Sequence, residues 1–205
     1  MKGSDFPIAT PGQRIGLFGG SFDPAHAGHV YVTKTALKRF GLDQVWWLVS
    51  PGNPLKQAGP APLEKRIARA REIMMHPRVV VSGLEAKLGT RYTAKTLEKL
   101  LAMYPGVSFT WVMGEDNLAQ FHHWQDWTWI ANVVPIGIIA RPGAGVPALN
   151  TVMARKYREF RLPARQSQML SHKHPPAWCL INTQLRPESS TDLRKSGVWS
   201  SNAKL

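Results

Sequence analysis

The sequence predicts an α/β protein built on a parallel sheet, and three observations lead there. Short uninterrupted apolar runs recur, as in Gln44 to Ser50 (Gln-Val-Trp-Trp-Leu-Val-Ser) and Val107 to Met113. Such runs mark strands covered on both faces, the usual state of parallel strands. Between them lie segments whose apolar residues recur at helical spacing. The first run, Ile15 to Phe18, ends in Gly19-Gly20, passes through Asp23-Pro24 and opens a helical pattern near Ala27. A helix starting after a glycine-rich turn aims its unbonded amides and its positive dipole end at the loop, which favours phosphate. The 205 residues suit a single domain with a sizeable core.

Taken in order, residues 1–13 carry Gly3, Pro7, Pro11 and Gly12 without apolar periodicity and read as a flexible N-terminal arm, with the domain running over 14–205. In the first helix Tyr31, Leu37 and Phe40 share a face opposite Lys34, Lys38 and Arg39, and Gly41 stands where the helix should stop. With Gln44 to Ser50 as the next strand, this is a right-handed parallel unit. Pro51-Gly52-Asn53-Pro54-Leu55-Lys56 follows at the carboxyl end of that strand, where an open parallel sheet has its ligand crevice. Lys56 there either meets an anion or sits solvated in a turn. Leu63 to Met75 is helical behind Pro60 and Pro62, and Val79 to Val81 is a short strand.

Thr93, after Gly89-Thr90-Arg91-Tyr92, is expected to cap a helix holding Leu97, Leu100 and Leu101. Val107 to Met113 leads into Gly114-Glu115-Asp116, where an acidic residue just past a strand can bind ribose hydroxyls, cap a helix, or both. Phe121 to Ile130 is dense in aromatics, mostly core; His122 and His123 point apart, lack a third ligand and read as surface residues, so no metal site is expected. Val133 to Ala140 is a fifth strand interrupted by Pro135 and Gly137. Residues 141–176 are basic (Arg155, Lys156, Arg158, Arg161, Arg165) with Glu159 as the one acid, and read as a solvated, mobile connection rather than a basic flap over polyphosphate or a nucleic-acid patch. Trp178 to Asn182 is a further strand, and Pro187 to Arg194 a further helix start.

Composition narrows the partners. A formal net charge of +13 calls for acidic ones: nucleotides, nucleic acid or an anionic surface. The single cysteine, Cys179, excludes a disulfide framework and a cysteine-rich zinc site, and fits a reducing cytoplasm. No signal-peptide core opens the chain and no apolar run has membrane-spanning length, so a cytoplasmic protein without a membrane partner is expected.

His26-Ala27-Gly28-His29, within Gly-Gly-Ser-Phe-Asp-Pro-x-His-x-Gly-His, resembles the signature of the His-x-Gly-His nucleotidyltransferases, and in its longer form the bacterial nicotinate-nucleotide adenylyltransferases. Gly114-x-Asp116 resembles that family's second nucleotide element. Ser189-Ser190-Thr191-x-x-Arg194 resembles its closing motif, with Asp192 where an apolar residue is more common. The proline-rich loop ending in Lys56 matches as well, although Asn53-Pro54-Leu55 departs from the usual proline and histidine. The resemblance runs from about Arg14 to Ser196.

It implies a Rossmann-like, doubly wound sheet and transfer of AMP from ATP to nicotinate mononucleotide, giving deamido-NAD and pyrophosphate in NAD biosynthesis. His26, His29 and Arg194 would be catalytic. Gly19, Ser21, Phe22, Gly114, Asp116, Ser190 and Thr191 would join them on ATP. Gly20, Ser21, Lys56, Thr90, Tyr92 and Trp124 would hold nicotinate mononucleotide, with backbone amides near Thr90 to Tyr92 on the carboxylate and Trp124 stacked on the ring. Mg²⁺ would be held mainly by substrate phosphates. The alternatives are transfer to nicotinamide mononucleotide, phosphopantetheine or a choline-type phosphate, or a basic nucleic-acid-binding protein, disfavoured because no nucleic-acid module is recognisable. Oligomeric state stays open.

Overall fold

A computed structural model describes residues 6–52, 59–140 and 148–183. Seven strands in these residues form one sheet: β1 (Arg14–Gly20), β2 (Gln44–Val49), β3 (Val79–Ser82), β4 (Ser108–Gly114), β5 (Ile136–Ala140), β6 (Arg161–Leu162) and β7 (Trp178–Asn182). Their order is β3-β2-β1-β4-β5-β7-β6, with every neighbouring pair parallel. The helices are α1 (Ala27–Arg39), α2 (Leu63–Ile73), α3 (Leu84–Leu88), α4 (Thr93–Met103), α5 (Glu115–Gln120), α6 (Trp127–Val133) and α7 (Val152–Lys156).

Alternate strand residues serve opposite faces of the sheet. Leu17, Trp46, Trp111 and Ile138 pack under α3, α4 and α6 through Leu84, Leu97, Leu100 and Ile130. Phe18, Trp47, Val112 and Ile139 pack against α1 and α2 through Val32, Ala36, Phe40 and Ala70. The sheet is therefore doubly wound, as expected. The chain runs outward from β1 to β2 and β3, then returns to β4 on the other side of β1. Connections leave the carboxyl ends of β1 and β4 in opposite directions, which opens a crevice there.

α1 begins at Ala27 as the sequence predicts, and Gly41 follows its end with φ +65°. That conformation and the backbone carbonyl of Gln168, which would lie 2.4 Å from a Cβ at 41, both call for glycine. Gly137 in β5 is required for a different reason: a Cβ there would meet the Phe40 ring at 2.5 Å. Gly137→Ala should destabilise the protein by about 1–3 kcal/mol, because a packed ring must move. Equilibrium urea unfolding reads this directly as a lower midpoint at unchanged slope.

Several expectations need correction. β5 starts at Ile136 rather than Val133, which instead ends α6; Pro135 separates the two. α3 and β6 were not anticipated, being too short to show a period. Residues 6–13 are fastened rather than loose: Phe6 and Ala9 pack on the core, the Tyr104 hydroxyl donates to the Pro7 carbonyl at 2.7 Å, and the Gly12 amide donates to the Gly106 carbonyl at 2.7 Å. The described part of 141–176 is folded as α7, β6 and tight 3-10 turns, with Met153, Tyr157, Leu162 and Leu170 buried. Four spaced apolar residues suffice to anchor it, while Arg155, Lys156, Arg158 and Arg165 remain at the surface.

Candidate active site

The site is built from the carboxyl ends of β1, β2 and β4. β1 ends in Gly19-Gly20, and a Cβ at Gly19 would lie 2.6 Å from the Trp111 ring of β4. Bare backbone at 19 therefore lets Trp111 lie across the strand. Trp124 stands edge-on to Trp111, with ring centres 5.9 Å apart, and is half-buried. The residue expected to stack on a pyridine ring is thus anchored beside the end of β1. Its other neighbour is Phe121 at 5.3 Å.

After Gly20 the chain turns sharply. Phe22 adopts φ +46°, unusual for a bulky residue, and its ring is buried, stacked on Trp47 at 4.6 Å and 4.8 Å from His29. Expected as an ATP contact, Phe22 supports His29 from beneath with its side chain, which leaves its main chain for any ligand. Asp23, Pro24 and Ala25 are buried, and His26 opens α1.

The first turn of α1 is capped by its own histidines. His26 Nδ1 accepts the Gly28 amide at 3.1 Å, and His29 Nδ1 accepts the His26 amide at 3.2 Å. This reciprocal arrangement has the logic of a capping box, with imidazoles in place of hydroxyl and carboxylate. The two rings lie 3.9 Å apart. Since Nδ1 accepts in each, a neutral ring carries its hydrogen on Nε2, making both rings donors on that side. Behind His29, its carbonyl accepts from the Thr33 hydroxyl at 2.8 Å, which in turn accepts from Trp47 Nε1 at 2.7 Å. No acidic residue sits in the first turn, so no carboxylate of the helix itself opposes an anion at the dipole end.

Arg66 of α2 is a buried anchor of the site loops that sequence reasoning missed. It is 1% exposed, and its guanidinium donates to the carbonyls of Ser21 and Ala61 at 2.6 Å, Ser50 at 2.8 Å and Pro51 at 3.5 Å. It thereby ties the loop after β1 to the loop after β2. Burial lowers its pKa, an effect the charges of Asp23 and Glu64 oppose. A signal was present: Arg66 lies at the helical spacing of Leu63, Ile67 and Ala70, on the apolar side of α2.

At the end of β4, Gly114 precedes α5 as its N-cap, a place the sequence reading allowed to Asp116. Asp116 comes second in the helix, too late to cap it, and its exposed carboxylate folds back so that a Cβ at Gly114 would lie 2.5 Å from Oδ1. Both remain at the mouth of the β1–β4 crevice. Glu115 is buried, and burial followed by the charge of Asp116 raises its pKa.

The turn from Gly89 to Tyr92 joins α3 to α4. Tyr92 is the N-cap of α4 and Thr93 its first residue, so the helix starts one place earlier than expected, since the backbone of Tyr92 is extended. Tyr92 is exposed, whereas Thr90 is buried with its hydroxyl 2.8 Å from that of Thr96. The Thr90 amide is also bonded, to the Glu85 carbonyl at 2.9 Å, which leaves the amides of Arg91 and Tyr92 as the donors the turn can offer. The His122 and His123 rings, expected to point apart, lie 3.8 Å from one another because the chain there makes a tight 3-10 turn. Lys56, Ser190, Thr191 and Arg194 lie outside the described residues. Among the described residues no group of three His, Cys, Asp or Glu side chains could hold a metal ion, and no helix is long and apolar enough to cross a membrane.

Known proteins resemble this chain closely. A family model described as cytidylyltransferase-like matches residues 17–196. A protein of Roseobacter denitrificans named "Probable nicotinate-nucleotide adenylyltransferase" is 57% identical over 194 residues, covering 95% of this chain and 98% of the relative. A protein of the same name from Ruegeria pomeroyi is 55% identical, covering 95% and 92%. Among solved structures, the nicotinic acid mononucleotide adenylyltransferase of Plasmodium falciparum complexed with NaAD superposes with a TM-score of 0.68 at 18% identity, over 89% of this chain and 83% of that one. At that identity the match establishes the shared fold.

Proposed function

We infer that this chain, which belongs to the cytidylyltransferase-like family and within it to the nicotinate-nucleotide adenylyltransferases, joins the adenylyl group of ATP to nicotinate mononucleotide. The products are deamido-NAD and pyrophosphate, a step of NAD biosynthesis. The observation that carries this reading is the pair of imidazoles at the start of α1, both donors on Nε2, set at the crevice between β1 and β4.

The acceptor's phosphate is already an anion at neutral pH, so the protein need supply neither a nucleophile nor a strong base. An oxygen of that phosphate attacks the α-phosphorus of ATP in line. The new P–O bond forms as the bond to the β-phosphate oxygen breaks, and the electron pair leaves with pyrophosphate. Catalysis then consists of bringing two anions together and neutralising the charge that develops. His29 Nε2 donates to the α-phosphate, and His26 assists at the neighbouring phosphates. Gly19, Gly20 and Ser21 supply close backbone approach, and Gly114 and Asp116 receive the adenosine end. Arg194, with Ser190 and Thr191, holds the departing pyrophosphate, a role that rests on the family motif. Mg²⁺ brought in with ATP would be held mainly by the substrate phosphates and would neutralise their charge.

For the acceptor, the backbone amides of Arg91 and Tyr92 in the Thr90–Tyr92 turn take the nicotinate carboxylate, because the Thr90 amide is already bonded to the Glu85 carbonyl; Trp124 takes the ring, and Lys56 is assigned to an acceptor anion by the family motif. Pyrophosphate release from Mg-ATP is the test, with nicotinate mononucleotide, nicotinamide mononucleotide or phosphopantetheine as acceptor. The nicotinate form should be favoured at least about tenfold in kcat/KM, since a site of backbone amides rewards the extra charge. Preference for another acceptor would discard the roles of Thr90, Tyr92 and Trp124. Silence with all three, from folded protein, would overturn adenylyl transfer itself.

A further inference from the structure

Glu85 lies in α3 and is 4% exposed, an uncommon place for a carboxyl group. Its Oε1 is 3.3 Å from the Thr96 hydroxyl, and that hydroxyl is 2.8 Å from the hydroxyl of Thr90. The Thr90 amide donates to the Glu85 backbone carbonyl at 2.9 Å. Thr96 Oγ1 also lies 3.3 Å from the carbonyl of Tyr92. Glu85 therefore grips the Gly89–Tyr92 turn at both ends: at Thr90 through main chain and side chain, and at Tyr92 through Thr96.

Counting hydrogens in this cluster is informative. The Thr96 hydroxyl has a single hydrogen but faces the Glu85 carboxyl, the Tyr92 carbonyl and the Thr90 hydroxyl. A carboxylic acid at Glu85 supplies what is missing: it donates to Thr96 Oγ1, Thr96 donates to Tyr92, and Thr90 donates to Thr96. A carboxylate instead claims the Thr96 hydrogen, and the Tyr92 carbonyl keeps only the Thr96 backbone amide, at 3.1 Å.

We propose that Glu85 is a positioning residue for the acceptor: acting through Thr96 and Thr90, it fixes the 89–92 turn, and its ionisation sets how strongly that turn prefers an acidic ring over a neutral one. This rests on the reading of the turn as the pyridine-carboxylate corner. Burial, opposed only in part by the bond with Thr96, raises the Glu85 carboxyl to about 7, so the switch falls near neutrality. The elements packed against α3 are β2 and α4. β2 carries no titratable side chain. On α4, Lys95 pairs with Glu98 at 2.8 Å, and Lys99 donates to the Leu88 carbonyl at 2.6 Å. Lys87 on α3 and Arg91 in the turn complete the charged neighbours in sequence. Once ionised, Glu85 draws the Thr96 hydroxyl hydrogen away from the Tyr92 carbonyl and places a like charge behind the site for a carboxylate.

The test compares wild type, Glu85→Gln and Thr96→Val. Steady-state kinetics with nicotinate and nicotinamide mononucleotide run from pH 6 to pH 9, with KM for ATP followed throughout. The two acceptors carry the same phosphate, so their ratio cancels its titration. In wild type the acid-to-amide ratio of kcat/KM should fall on the order of tenfold across this range, through KM rather than kcat. Glu85→Gln keeps a hydrogen donor without a charge and should hold the ratio flat and high. Thr96→Val, nearly the same shape, should raise KM for nicotinate mononucleotide at every pH, and KM for ATP should stay constant in all three. The same fall in Glu85→Gln as in wild type would overturn the proposal, as would parallel changes in KM for ATP. Wild type inactive with nicotinate mononucleotide would overturn the function as well; an active wild type with an unaltered Glu85→Gln profile would overturn this role alone.

Discussion

Replacing His29 by alanine should lower kcat by about 10²–10³-fold, the range found when one donor to a developing charge is removed. His29 is half-buried, backed by Phe22 and held through its Nδ1 by the His26 amide, so its Nε2 hydrogen has little freedom to point elsewhere. That rigidity is what makes a donor effective, because no reorientation accompanies the reaction. The substitution also removes one capping bond of α1, which should destabilise the fold by only about 1 kcal/mol. The two effects separate cleanly: pyrophosphate release reports turnover, and a thermal melt should move by a few degrees. A variant with full activity would sink the role assigned to His29.

Arg66→Met should produce the largest loss of stability of any single change considered, about 3–5 kcal/mol. The guanidinium serves four carbonyls on three separate stretches: Ser21, Ser50 with Pro51, and Ala61. Methionine fills much of the volume but leaves buried acceptors unmet, at about 1–3 kcal/mol each where no water can reach them. Lysine in its place should recover only part, since one ammonium cannot match a planar fork of donors. Chemical denaturation measures the loss. Activity should fall with it even below the unfolding midpoint, because Arg66 sets the loop carrying Ser21 toward His26. Near-wild-type stability of Arg66→Met would show that water or neighbouring groups satisfy those carbonyls.

How much of this was legible before the structure depends on whether the signal is local. The apolar runs around Trp46-Trp47 and Trp111 announced buried parallel strands, because both faces of such strands must be apolar. The glycines at 19 and 20, with His26 and His29 three apart, announced the site, because loop and helix start are adjacent in sequence. Arg66 and Glu85 were not legible as site residues: their roles come from carbonyls and hydroxyls brought near by folding, and in sequence they look like solvated charges of short helices. The direction of the Phe22 ring was hidden for the same reason, since only the stacked Trp47 shows that it faces inward. The basic stretch after residue 141 looked unstructured because charge outweighs Met153, Tyr157, Leu162 and Leu170 in composition, although these four anchor its described part.

The histidine cap of α1 also makes this helix start sensitive to acid. An imidazolium donates from both nitrogens and can accept from neither. A proton added to either ring would turn Nδ1 toward the amide of Gly28 or of His26 as donor against donor. The first turn would then have to open or the ring swing away, so this capped start of α1 requires both imidazoles to be neutral.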